Sequence, residues 1–284
     1  VRNSLPYKIG VRHKVLSKIR KNLIIYIFMD PLFTFFGARG ETLILTKEYF
    51  SFSRILPSLW KQFLKYGIPL IPGGLIWLIM YMSDRWFIMK MMSAKDLGLY
   101  SVGIKFAMLI SILIEAFRRA WGPLAMDMLH KETGVHLFRK ISLFYFLFAS
   151  AGTVALTFMS PYLVKYLVAE KYYQSWRVVG IVSWVSVFYG FFLISPLGIY
   201  KRKKTYLIPY VFAFGAISNI LLNYFLIPLL GIIGAGIATA FSLMFANIIA
   251  MVLSRRYLDI VWQWHWYALC TGVSWIIILF IIFR

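Results

Sequence analysis

From residue 68 onward the chain repeats one pattern: runs of about 20 apolar residues, separated by short loops. Such a run spans the ~30 Å hydrocarbon core of a bilayer as a helix. In lipid every backbone amide must be bonded within its own segment or a closed barrel, so the pattern dictates spanning α-helices. We place them at 68–92, 98–121, 141–164, 178–200, 205–228, 231–253 and 266–283. Composition agrees, because 61% hydrophobic against 14% charged residues leaves too little polar surface for a water-soluble fold. The expected fold is an all-α integral membrane protein with about seven transmembrane helices.

The loops set the orientation. On one side lie Lys47, Arg54, Lys61, Lys65, Arg118, Arg119, Lys131, Arg139, Lys140, Lys201, Arg202, Lys203, Lys204, Arg255 and Arg256, and on the other only Lys90, Lys95, Lys165, Lys171 and Arg177. The positive-inside rule puts the richer side in the cytoplasm. A net charge of +21 would point to nucleic acid in a soluble domain; here it reads as loops facing anionic lipid, and no nucleic-acid partner is expected. Aromatic anchors fit the same placement, with Tyr172, Tyr173 and Trp176 at one interface and Trp262, Trp264, Trp266 and Tyr267 at the other. His265 belongs to that second belt.

Several classes of chemistry are excluded. The histidines His13, His130 and His136 match no metal-ligand spacing, and Cys270 is a lone cysteine in an apolar run. No serine elbow, phosphate-binding glycine loop or cysteine cluster occurs, so neither an enzyme nor a metal site is expected. The chain opens on Val1 with no n-region, h-region and cleavage site, from which we expect no signal peptide and a truncated start.

Residues 1–45 form a basic segment, unplaced, either interfacial or non-native; within it Leu23 to Gly37 is apolar but short and interrupted by Asp30-Pro31. Residues 46–66 read as a cytoplasmic amphipathic linker.

The hairpin from Tyr66 to Pro123 carries charge at membrane depth, which marks it as the functional region: Asp84 and Arg85 in the first run, Lys105 and Glu115 in the second, then Arg118 and Arg119. These residues are the candidate substrate path or charge relay. Asp84 and Lys105 lie at matching depth, about 12 and 10 Å from the shared loop, so we expect them to pair, with Arg85 turned about 100° away. One of Arg118 and Arg119 is expected to snorkel to the interface. Pro69, Pro72 and Gly73 mark an irregular first turn and a hinge; the competing account is that proline is simply tolerated where the amide is unpaired. Asn219 and Asn223, one turn apart, are read as interhelical polar glue, and Gly231 and Gly234 begin small-residue series that let helices approach closely.

Together these residues resemble a family. Tyr66-Gly67-Ile68-Pro69-Leu70-Ile71-Pro72, Ser83-Asp84-Arg85, Leu97-Gly98-Leu99-Tyr100-Ser101-Val102 with Lys105, and Ala120-Trp121-Gly122-Pro123 look like the start of the C-terminal lobe of bacterial polysaccharide flippases. Asn219 and Asn223 with Ile227 to Ala235 resemble a later helix pair of the same group. These are the O-antigen and exopolysaccharide transporters of the multidrug, oligosaccharidyl-lipid and polysaccharide (MOP) superfamily. The similarity covers roughly residues 45–265.

The resemblance implies a six-helix C-terminal lobe at 67–256 and, at 257–284, the first helix of an extra C-terminal pair, truncated. It also implies a missing N-terminal lobe as partner. The implied activity is transport of an undecaprenyl-pyrophosphate-linked glycan across the bacterial cytoplasmic membrane by alternating access. Arg85, Lys105 and Arg118 would meet the pyrophosphate, while Asp84 and Glu115 would balance charge or bind a coupling ion, H+ or Na+. Three other readings stay open: a cation-coupled multidrug exporter of the same superfamily, a membrane enzyme such as a polysaccharide polymerase or acyltransferase, which would need catalytic loops where the outer loops here are short, and a nonfunctional membrane fragment of a disrupted flippase gene.

Overall fold

The structure, a computed structural model, describes residue 64, residues 67–68, 70–129, 131 and 133–283. The expectations for residues 1–45, for the linker up to residue 63 and for Pro69 lie outside the described residues. Two compact units divide the chain, Val1–Gly74 and Leu75–Arg284, and the second holds nearly all of the described helices.

The elements are helical throughout. They are α1 (Leu70–Met91), α2 (Ala94–Met128), α3 (Thr133–Leu167), a 3-10 turn (Glu170–Ser175), α4 (Trp176–Phe191), α5 (Leu197–Lys201), a second 3-10 turn (Thr205–Leu207), α6 (Ile208–Leu230), α7 (Ile232–Arg255) and α8 (Trp264–Phe283). Among the described residues five segments are long and apolar enough to cross a membrane: Ala94–Met128, Thr133–Leu167, Thr205–Leu230, Ile232–Arg255 and Trp264–Phe283. The chain is therefore an all-α, multi-pass membrane protein. Helices occupy all seven expected places, and the other two differ for local reasons. Helix α1 carries Asp84, Arg85 and Lys90 within its 22 residues, and α4 is only 16 residues long because the segment expected at 178–200 breaks.

That break has an identifiable cause. Pro196 has no amide to donate and its ring crowds the turn before it, so the helix stops at Phe191 and resumes at Leu197. Carbonyls around the break take side-chain donors from neighbouring helices. Tyr145 Oη donates to the Val187 carbonyl at 2.7 Å, Asn247 Nδ2 to Phe188 at 2.8 Å and Trp121 Nε1 to Leu193 at 3.1 Å. Ser254 Oγ in turn accepts from the Gly198 amide at 2.7 Å. Three helices thus close around the discontinuity.

Helix α4 is apolar all round, from Val178 through Trp184 to Phe191, and a helix of that kind is a core helix. It packs against α2, α3, α7 and α8. The α6–α7 hairpin is the tightest pairing. Gly231 caps α6 with φ +60, and a Cβ at Gly234 would run into the Leu226 carbonyl, so both positions need glycine. Helix α8 joins the same unit: Tyr267 Oη lies 2.7 Å from Ser142 Oγ on α3, and its ring packs on Phe146 at 4.9 Å. Large apolar side chains point outward along the helices, among them Phe144, Phe148, Phe158 and Phe280, as lipid-facing surface requires.

Of the expected hinge residues at the start of the first span, Pro72 and Gly73 are described. Helix α1 runs unbroken from Leu70 through Pro72 and Gly73, and Pro72 sits in the first turn, where no intrahelical amide bond is lost.

Candidate functional site

Helix α1 presents Asp84 inward. It is 4% exposed, and its carboxyl accepts three hydrogen bonds, all from neutral groups. Tyr100 Oη on α2 donates to Oδ2 at 2.7 Å, while Asn223 Nδ2 on α6 and Thr239 Oγ1 on α7 donate to Oδ1 at 3.0 and 2.7 Å. The network continues outward. Asn219 Nδ2 donates to Thr239 Oγ1 at 2.8 Å, Asn223 Nδ2 to Asn219 Oδ1 at 3.1 Å, and Ser83 Oγ also donates to Asn219 Oδ1. Four helices therefore converge on one carboxyl.

Two features set this cluster apart from ordinary interhelical glue. Among the described residues Asp84 makes no ion pair. Among the same residues the buried oxygen Asn223 Oδ1 has no hydrogen-bond partner. A buried carboxylate without a cation is costly even when hydrogen-bonded, so the group requires either a proton or a positive ion. A proton on Oδ2 would make Tyr100 an acceptor. A small cation would find carboxylate, amide and hydroxyl oxygens together, the hard donors that alkali and alkaline-earth ions take. No group of three or more His, Cys, Asp or Glu side chains that could hold a metal occurs among the described residues.

The expected Asp84–Lys105 ion pair is overturned. Asp84 turns toward Tyr100, α6 and α7, and Lys105 lies on the exposed side of α2. Arg85 does turn away from Asp84. Its Nη1 donates to the Tyr81 carbonyl at 2.9 Å, and its guanidinium lies 4.7 Å from the centre of the Tyr81 ring. Glu115 meets Arg118 through two bonds, Nε to Oε2 at 2.8 Å and Nη2 to Oε1 at 2.6 Å, and Arg119 Nε reaches Oε1 at 3.4 Å. The Arg119 side chain is 76% exposed and that of Arg118 24%, so Arg119 is the outward member of the pair.

Sequence reasoning misses Tyr100, Thr239 and Ser83 as site residues. Thr239 is visible there only as a member of the small-residue series on α7, yet it is the sole residue of the Gly231, Ala235, Thr239 series with a side-chain donor, opposite two asparagines spaced one turn apart. That combination is the available signal.

No protein-family profile and no solved structure matches the chain. Among curated proteins it is 30% identical over 138 residues to a product of the Lsg locus of Haemophilus influenzae, covering 48% of this chain and 32% of that protein. The match spans about a third of the relative's length.

Proposed function

We propose that this chain is part of a transporter that carries a lipid-linked oligosaccharide across the bacterial cytoplasmic membrane, with the Asp84 cluster as its coupling-ion site. The observation that carries the reading is a buried carboxyl held by three neutral donors from three other helices, beside an unpartnered amide oxygen. Such a group has a use for a proton or Na+ that arrives and leaves, and because α1, α2, α6 and α7 all contribute, occupancy would bias how these helices pack. Arg85, Lys105 and Arg118 supply positive charge suited to an undecaprenyl-pyrophosphate headgroup. The likeness to a product of the Haemophilus Lsg locus fits a polysaccharide-related membrane protein. The activity would belong to the whole transporter, with an N-terminal lobe completing the cleft, and no bond is made or broken in the cargo.

The test uses the full-length transporter that contains this chain, reconstituted in liposomes with an isoprenoid-diphosphate oligosaccharide. Expected is movement of the lipid that depends on an imposed Na+ or H+ gradient and loses that dependence in Asp84→Asn. A wild-type protein that ignores the lipid and instead exports cationic drugs in exchange for the ion would establish the exporter reading. A protein that moves neither leaves only the nonfunctional fragment.

A further inference from the structure

We propose that Trp77, Tyr81 and Tyr189 form a sugar-binding row, bounded by Arg85 and Arg118, that receives the glycan part of the cargo; this rests on the transport reading above. Trp77, Tyr81 and Arg85 follow one another at four-residue intervals on one flank of α1. The row is continuous in space. The Arg85 guanidinium covers the Tyr81 ring, the Tyr81 and Trp77 rings lie 6.2 Å apart, and Trp77 stacks on Tyr189 of α4 at 4.6 Å with 23° between planes. Tyr189 in turn lies within electrostatic reach of Arg118 and Glu115.

The chemistry of the row selects its occupant. All three rings are partly buried, at the margin of the core rather than within it. Two guanidinium groups border the row, Arg85 over Tyr81 within the span and Arg118 beyond Tyr189, and charge so placed suits a polar space rather than lipid acyl chains. An acyl chain would need neither the tyrosine hydroxyls nor the arginines. A bare phosphate would need no rings. A sugar uses both, because its C–H faces lie on aromatic planes while its hydroxyls and acidic groups reach hydroxyl and guanidinium donors. Glu115 bonds both Arg118 and Arg119, and Arg85 adds a third guanidinium to the row, a charge balance that favours an anionic glycan or one next to a diphosphate.

The experiment compares two probes on the full-length transporter in detergent or liposomes: an isoprenoid diphosphate without sugar, and the same carrier bearing an oligosaccharide. Trp77→Leu keeps apolar volume but removes the aromatic plane; it is expected to weaken binding of the glycosylated carrier about tenfold, with the sugar-free carrier bound as before. Trp77→Phe is expected to retain binding of both. Equal weakening of both probes by Trp77→Leu, or no effect on either, overturns the proposal, because the ring would then be packing alone. Should Trp77→Leu fail to fold, Tyr81→Leu decides by the same difference between probes. Wild-type protein that binds neither carrier overturns the transport reading and the sugar row with it, whereas wild-type binding of both with no selective loss overturns the row alone.

Discussion

Two acids in neighbouring helices, Asp84 and Glu115, solve the same problem in opposite ways. Glu115 keeps a side chain 41% exposed and lies in a two-bond pair with Arg118. Asp84 is buried, and the groups that meet it are a phenol, an amide and an alcohol, none of which carries charge. The first arrangement is self-contained, since the guanidinium already supplies the counter-charge. The second is incomplete by itself and becomes complete only with a proton or cation. A transporter needs a group of the second kind, because an ion held by a permanent partner cannot be exchanged.

The comparison breaks or sharpens first at Asp84. Asp84→Leu removes the acceptor of three buried donors, leaving Tyr100 and Thr239 without one and Asn223 with only its bond to Asn219, so a loss of roughly 3–5 kcal/mol in unfolding free energy is expected by denaturant titration in mixed micelles. Asp84→Asn preserves shape and most acceptor capacity, and should cost only about 1 kcal/mol while abolishing any stabilisation by added Na+ or by acid. If Asp84→Asn proves as damaging as Asp84→Leu, the cluster is structural and the contrast with Glu115 collapses.

Next in size is Asn219, which accepts from Ser83 and Asn223 and donates to Thr239. Asn219→Leu should cost about 1–3 kcal/mol in the same measurement, because each of those partners loses one bond, Ser83 keeping the Met80 carbonyl and Asn223 and Thr239 keeping Asp84, while the acid itself remains. Glu115→Gln should cost far less. Its pair is half-exposed, which limits the expected loss to less than about 1 kcal/mol. A larger loss at Glu115 than at Asn219 would reverse the ranking that separates a self-contained surface pair from a buried network.

Geometry explains how much of this is legible in the sequence. Hydropathy fixes where helices run: a helix lies at each expected place, five of them long and apolar enough to cross a membrane among the described residues, including both partners of the α6–α7 hairpin with its glycines. Hydropathy does not register a break inside an apolar run, and Pro196, which interrupts the run expected at 178–200, leaves no mark in it. Depth along a helix can be counted, but the direction in which a side chain points cannot be read without knowing which face is packed. Asp84 and Lys105 do match in counted depth. Tyr100, however, precedes Lys105 by five residues, or about 140° around α2, so the face that brings Tyr100 to Asp84 turns Lys105 away. The acid's true partners come from α6 and α7, well over a hundred residues on, where no local pattern points back to residue 84.

The smallest expected change in stability is at Lys105, and it bears on what the outer face of α2 meets. The residue lies eleven positions beyond Ala94, about 16 Å along the helix, and it is exposed with no ion pair among the described residues. If that face met hydrocarbon, the ammonium would cost about 2.5–3.5 kcal/mol on insertion scales, and Lys105→Met would stabilise the protein by a comparable amount. If it faces a polar cleft in the assembled transporter, the ammonium is already solvated, and Lys105→Met should change unfolding free energy by no more than about 0.5 kcal/mol. Transport separates the cases further, because a cleft-facing cation that meets a diphosphate is used in every cycle, so the same variant should lose glycan export at unchanged protein level in the membrane. A variant that gains stability and exports normally would assign this face to lipid and remove Lys105 from the substrate path.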